Sequence, residues 1–224
     1  MAGILFIISA PSGSGKSTLV SQLRTLVEGL DFSISYTTRA PRGSETDGRE
    51  YHFTTRVQFE RMIAAGDFLE WAEVFGNYYG TAISALGHAK DAGKDLLLDI
   101  DVQGAVQVMK KMPAAVSIFV LPPSPQVLEL RLRARSEAEH VASKKIVPEE
   151  VIQSRLAEAR NELRQIWDYK YALVNDVLDQ AVAEMRAIVL CERGERDGVQ
   201  ALASSCRTDA ASPRLRAALD TFHE

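Results

Sequence analysis

One stretch limits what this chain can fold into more than any other. Ile4-Leu5-Phe6-Ile7-Ile8 is a short apolar run, and it leads into Ala10-Pro11-Ser12-Gly13-Ser14-Gly15-Lys16-Ser17-Thr18. An Ile-rich run bounded by turn residues reads as a buried parallel strand. Glycines at positions 13 and 15 let the backbone curl until successive N–H groups point into one concavity, a nest suited to phosphate oxygens. In such a loop Lys16 reaches β- and γ-phosphates, and the Ser17 hydroxyl is placed to ligate Mg2+. Leu19, Leu23, Leu26 and Leu30 follow at helical spacing and predict one face of an amphipathic helix. Its positive N-terminal end would face the phosphates. The motif asks for Gly at its first position, where this chain has Ala10, a mild departure at a strand exit. Residues 10–18 are therefore expected to hold a nucleoside triphosphate.

The 224 residues suffice for one sizeable α/β core with insertions, or at most two small domains. A net charge of −4 gives no global basic field to draw the chain to nucleic acid or to a membrane, so an anionic nucleotide must be gripped by cations gathered locally. Cys191 and Cys206 have neither metal-ligand spacing nor a disulfide framework, which suits a reducing, cytoplasmic compartment. The scattered histidines suggest no zinc site. The apolar N-terminus lacks a leading positive charge and runs straight into the glycine loop, so it is not read as a signal peptide.

Strands expected at 95–101, 116–121 and 171–175 alternate with helices from about 124 to 135, from about 148 and from 176 to 190. That alternation predicts a parallel sheet flanked by helices. Residues 32–82 differ: polar, short in period, with half-buried strands expected at 32–36, 50–53 and 68–75 and a short helix at 57–65 closed by Gly66. They read as a small mixed α+β insertion. The core is then 1–31, 83–130 and 168–190, with a helical lid over 131–167. Residues 191–224, polar and Ala/Ser-rich with a short amphipathic segment at Leu215 to Phe222, are expected to form an appended, mobile tail. Trp71 and Trp167 read as packing residues.

A phosphate loop alone fits ATPases, GTPases and kinases; the insertion decides among them. Arg39 and Arg42 stand three apart with Pro41 between them, and arginine grips phosphate bidentately while staying charged. Tyr51 and Tyr79 each offer a hydroxyl to the same anion. Asp99, near the end of a hydrophobic strand, suits either a Mg2+ hydration shell or an acceptor phosphate. Strand alternation would put it on the same face as Asp101.

The blocks Ser35-Tyr36-Thr37-Thr38-Arg39-Ala40-Pro41-Arg42 and Gly48-Arg49-Glu50-Tyr51 resemble the GMP-binding signature of guanylate kinases. Phe68 to Ala72, Gly76 to Thr81 and Leu98 to Gly104 resemble the family's following blocks, in its order, from about Ile4 to Val189. The resemblance implies a P-loop kinase that transfers the γ-phosphoryl group of ATP to GMP with Mg2+, dGMP being an expected second acceptor. It assigns Arg39, Arg42, Tyr51 and Tyr79 to the GMP phosphate, and Ser35, Glu70, Thr81 and Asp101 to guanine. The chemistry agrees, since guanine N1–H and N2 are donors and carboxylates only accept. Adenine has an acceptor at N1, and a buried polar site left unpaired can discriminate by roughly 10⁴ or more. Plain structural roles compete: Glu70 as a strand-edge charge, Asp101 as a helix N-cap.

Arg131 and Arg135 lie one helical turn apart and resemble the family's lid arginines, with Arg155 on the next helix as a third; Arg133 reads as ordinary surface charge. Ser136 to Val147 is longer than the turn such a lid needs and adds His140, Lys144 and Lys145, read as a solvated loop. Asn175-Asp176 resembles a family position near the ATP base. Lys16 and the lid arginines would stabilise the migrating charge, and the insertion would close on GMP. Two rivals are a ribose 1,5-bisphosphate kinase, which has no need of Glu70 and Asp101, and a non-catalytic guanylate-kinase-like binding module, which would lack Lys16 and Ser17.

Overall fold

The computed structural model describes residues 3–143, 148–210 and 212–222. In chain order it holds β1 (Leu5–Ser9), α1 (Lys16–Leu26), β2 (Leu30–Phe32), β3 (Tyr36–Thr37), β4 (His52–Phe53), α2 (Arg56–Ala65), β5 (Phe68–Val74), β6 (Asn77–Ala82) and α3 (Ser84–Asp91). There follow β7 (Asp95–Asp99), α4 (Val102–Lys111), β8 (Val116–Leu121), α5 (Pro125–Ser143), α6 (Glu149–Leu163), β9 (Tyr171–Val174), α7 (Leu178–Glu192), α8 (Gln200–Ser205) and α9 (Pro213–Asp220). Five strands form one sheet in the order β2-β7-β1-β8-β9, with β2/β7 and β8/β9 paired in parallel. Its inner strands are buried on both faces, as flanking helices demand: Phe6, Ile7, Ile8, Leu97, Leu98, Ile118, Phe119, Val120 and Leu121 are fully covered. Among the described residues no helix is long and apolar enough to cross a membrane.

The chain divides into two compact units, Met1–Ile7 with Gly29–Ala115 and Ile8–Glu28 with Val116–Glu224. The first carries a second sheet, β4-β3-β6-β5, within residues 36–82. There the stretch 32–36, expected as one strand, is split. Phe32 ends β2, Ser33 N still bonds the Leu97 carbonyl at 3.0 Å, and Tyr36 starts β3 in the other sheet. α2 agrees with its capping signals: the Thr55 side chain accepts from Gln58 N, and Gly66 closes the helix at φ 75°. Phe59 stacks on Phe68 and on Tyr78 beneath it. α3 and α4 had no sequence expectation.

In the second unit α1 is shorter than the leucine spacing suggested. Leu19, Val20 and Leu23 are buried, but the helix stops at Leu26, which is 52% exposed, and Leu30 already belongs to β2. α5 is longer than expected, running to Ser143 through helix-forming Glu and Ala residues. The expected loop thus begins as helix; the His140 side chain, Lys144 and Lys145 lie outside the described residues. Arg133 ties α5 to α6, with Glu129 at 2.6 Å and Glu149 at 2.7 Å. Trp167, read as a packing residue, is 55% exposed, and Trp71 is 37% exposed.

Residues 191–224, expected as an appended tail, carry two helices with buried faces. Ala203, Cys206, Leu215, Ala218 and Leu219 are covered. The segment between the helices borders the sheet: Ala172 N donates to the Cys206 carbonyl at 2.8 Å, Thr208 Oγ1 to the Tyr169 carbonyl at 2.5 Å, and Tyr171 bridges to Arg207. The tail therefore covers part of the free edge of β9. Deleting residues 196–224 uncovers that edge and the seats of Leu215 and Leu219, at a cost on the order of 5 kcal/mol. Denaturant unfolding should show an earlier midpoint and light scattering should show association; an unchanged midpoint would mean the tail contributes no packing.

Candidate functional site

The loop between β1 and α1 is built around its carbonyl groups. Gly13 and Gly15 sit at φ 91° and 84°, a region only glycine enters without strain. Gly15 is the N-cap of α1, and Ser14 N donates to the Pro11 carbonyl at 3.1 Å. The Ser14 carbonyl points inward and accepts twice, from Asn175 Nδ2 at 2.7 Å and from Arg131 NH1 at 3.1 Å. Arg131 NH2 also donates to the Asn175 carbonyl at 2.9 Å. A Cβ on Gly15 would lie 2.4 Å from Asn175 Nδ2, so close approach demands glycine as strongly as the backbone does. Ser14 Oγ is buried and has no hydrogen-bond partner among the described residues. Lys16 and Ser17 open α1, with the Ser17 side chain facing solvent at its first turn. Ala10 is buried at the strand exit, Pro11 and Ser12 follow it in the loop, and Thr18 lies exposed in the first turn of α1.

Of the three arginines expected to serve a lid, Arg131 is thus a loop-anchoring side chain, its pKa lowered by burial against the opposing charge of Asp176. Arg135 is exposed one turn further along α5. Arg155 sits on α6 beside Leu156, which packs on Leu128, Leu132 and Ala159.

In the other unit three of the phosphate candidates, Arg39, Tyr51 and Tyr79, converge. Arg39 is 9% exposed; its Nε donates to the Tyr79 hydroxyl at 3.2 Å, and its guanidinium lies 5.3 Å from the centre of the Tyr51 ring. The Tyr51 and Tyr79 rings meet edge to face at 5.9 Å. Burial, then the nearby Asp99 charge, pushes the Tyr51 hydroxyl up to about 12, so it stays a neutral donor at neutral pH. Glu45, which no sequence motif singled out, organises the cluster. Its carboxylate pairs with Arg39 NH1 and NH2 at 3.0 Å each and accepts from Arg42 N at 2.8 Å. The only sequence signal was a carboxylate three residues after Arg42.

The base-reading candidates are set by a strand irregularity. β5 and β6 run antiparallel, but their register shifts between Phe68 and Glu70, so Phe68, Leu69 and Glu70 are all buried where simple alternation would expose one of them. Such a bulge re-aims a side chain. Glu70 is 3% exposed and pairs in register with Thr81, itself fully buried. Burial raises the Glu70 carboxyl to about 7; the Asp101 charge adds to the rise, and Lys111 opposes it. Ser35 is buried just before β3, its carbonyl accepting from His52 N at 2.9 Å.

Asp101 is the N-cap of α4, accepting from Gly104 N at 2.7 Å. The strand stops at Asp99, so the alternation expected to align Asp99 with Asp101 does not extend to the second residue; a helix start orients it instead. Lys111 Nζ, on the same helix, holds the Leu69 carbonyl at 2.5 Å.

A glycine-rich loop opening a helix beside a parallel, helix-flanked sheet defines the class of P-loop α/β proteins. The family model for guanylate kinase matches residues 3–192. A guanylate kinase of Koribacter versatilis is 52% identical, with all of this chain and 97% of that protein aligned. One from Nitrosospira multiformis is 48% identical over 85% of this chain and 87% of its own length. The crystal structure of guanylate kinase from Anaplasma phagocytophilum superposes with a TM-score of 0.68 at 32% identity, covering 91% of this chain and 95% of that one. The chain belongs to the guanylate kinase family.

Glu70 lies so close to α4 that a Cβ on Gly104 would fall 2.3 Å from Glu70 Oε2. Gly→Ala inside a helix ordinarily stabilises by about 0.5–1 kcal/mol. Here Gly104→Ala should reverse that sign and destabilise by about 1–3 kcal/mol, as overpacking does. Denaturant unfolding checks it; a gain in stability would show that the carboxylate moves aside freely.

Proposed function

We propose that this chain is an enzyme transferring the γ-phosphoryl group of ATP to GMP, giving ADP and GDP, in purine nucleotide metabolism in the cytoplasm. The observation that carries the acceptor assignment is the buried carboxylate of Glu70, an acceptor-only group matched to guanine N1–H and N2. Family membership supports ATP and GMP as substrates. Residues 32–82 act as the acceptor-binding element, 131–167 as the lid, and the remainder of 1–190 as the core.

On the donor side, residues 10–18 cradle the ATP phosphates, and the Ser14 hydroxyl, left without a protein partner, is available to a phosphate oxygen. Lys16 and the lid arginines Arg131, Arg135 and Arg155 supply positive charge to the migrating group, and no covalent enzyme intermediate is needed. Mg2+ is ordinarily bound by one or two protein oxygens together with substrate phosphates and waters. The solvent-facing Ser17 hydroxyl at the start of α1 fits that donor set, and Asp99 is the second candidate. The ion, when bound, neutralises charge on the phosphates. On the acceptor side Arg39, Arg42, Tyr51 and Tyr79 take the GMP phosphate, with Arg39 held ready by Glu45. Ser35 and Thr81 offer hydroxyls to O6 or N7, and Asp101, fixed by its capping bond, joins Glu70 in reading the donor edge of guanine.

Two measurements test this. ADP release should require ATP and Mg2+ and should proceed with GMP and dGMP, negligibly with AMP, UMP, CMP or ribose 1,5-bisphosphate. Lys16→Met should abolish turnover while leaving GMP binding intact. Turnover confined to the sugar phosphate would overturn the acceptor reading. The second is pH dependence. With Glu70 near 7 when the site is empty, guanine recognition requires its deprotonated form, so GMP affinity should fall as pH drops below about 7. The loss approaches roughly tenfold per pH unit at the limit. Glu70→Gln should bind GMP weakly and remove that component from calorimetric titrations, leaving only the phosphate's own protonation near about 6.

A further inference from the structure

Arg214 lies on α9, beyond the residues matched to the family model. Its single guanidinium reaches three acceptor groups on two parts of the fold. Nε donates to Asp176 Oδ2 at 3.3 Å and NH2 to the Val174 carbonyl at 2.7 Å, with further short contacts to Asp176 Oδ1 and Glu184 Oε1. Glu184, on α7, is 4% exposed, and Oε1 also accepts from Gln180 Nε2 at 3.0 Å. Val174 and Asp176 are the two neighbours of Asn175. That buried side chain holds the Ser14 carbonyl of the phosphate loop, and its own carbonyl holds Arg131. One side chain from the C-terminal helix therefore clamps the chain on both sides of the residue that sets the loop.

We propose that α9, through Arg214, is a positioning element of the donor site: by gripping Val174 and Asp176 it holds Asn175 against the phosphate loop, so setting how tightly the ATP phosphates are held. The proposal rests on residues 10–18 being the donor loop. A planar fork of five donors is the side chain suited to a rigid, several-point clamp, and an ammonium group is not. Asp176 supplies the second link. Burial would raise its pKa, yet Arg214 and the Val177 N–H hold it below the usual carboxylate range. The same charge opposes the lowering of Arg131 by burial. With Arg214 gone, the stretch from Val174 to Asp176 loses its anchor, and Asn175 with it.

The test is calorimetric binding of ATP and, separately, of GMP to full-length Arg214→Lys, Arg214→Ala and Arg207→Ala, each checked by thermal unfolding. Arg214→Ala strands a buried carboxylate and will lower the melting temperature whatever else it does. Arg214→Lys keeps a cation beside Glu184 and loses the fork, so it separates position from folding. The expected result is a Kd for ATP raised about tenfold in Arg214→Lys, the size of one charge-assisted hydrogen bond lost from the scaffold, with the Kd for GMP within about twofold. Arg207→Ala, which breaks an exposed tail pair with Asp209 and leaves Arg214 in place, should leave both constants unmoved. An unchanged ATP affinity in folded Arg214→Lys overturns the proposal, as does a parallel loss for ATP and GMP. If the unaltered chain failed to phosphorylate GMP, the function proposed above would fall, and the ATP titration would still decide this one.

Discussion

The carbonyl oxygen of Ser14 is the point from which the glycine-rich loop and its neighbours are arranged. A buried backbone carbonyl has no water available to it and needs a donor from elsewhere in the fold. An unsatisfied buried carbonyl would cost about 1–3 kcal/mol. Asn175 and Arg131 remove that cost by donating to it together. Their approach forbids a side chain at Gly15, and it ties the end of β9 and the start of α5 to one loop. The glycine pattern that a reader of the sequence meets first is thus half of a contact whose other half lies over a hundred residues away.

The unit that carries Arg39 and Glu70 solves a different problem, that of keeping charge in a dry place. Arg39 is nearly enclosed, and Glu45 and Tyr79 give it partners. Glu70 is more deeply enclosed and has no arginine or lysine in ion-pair contact among the described residues, so its carboxyl rises to about 7. A group poised there is neutral or charged according to what it meets, which lowers the cost of leaving the site empty. The bulge before Glu70 and the missing side chain at Gly104 make room for it.

Much of this was legible. The glycine-rich loop, the buried strands around residues 5–9, 95–99 and 116–121 and the helix closed by Gly66 follow from local rules of period, capping and turn chemistry. What was not legible has a common cause. The crossover at Ser33 to Ser35, the early stop of α1 and the bulge at Leu69 are decided by which strand lies alongside, and alternation within one segment carries no record of its neighbour. The tail reads as polar and Ala-rich because only a few of its residues, among them Leu215 and Leu219, face inward. Arg214 looks like any surface arginine until its three acceptor groups are seen.

By itself the sequence determined the class of chemistry. Gly13, Gly15, Lys16 and Ser17 after an apolar strand point to a phosphate nest by their spacing, and the blocks from Ser35 to Gly104 point to a guanine-binding kinase by their resemblance to guanylate kinases. Tertiary structure alone decided what state those residues are in. Whether Glu70 carries a proton, whether Arg39 has a partner and which side chains hold the Ser14 carbonyl all depend on distance and on exclusion of water. Electrostatic and hydrogen-bond energies follow those two quantities, and neither is written in the spacing of residues along a chain.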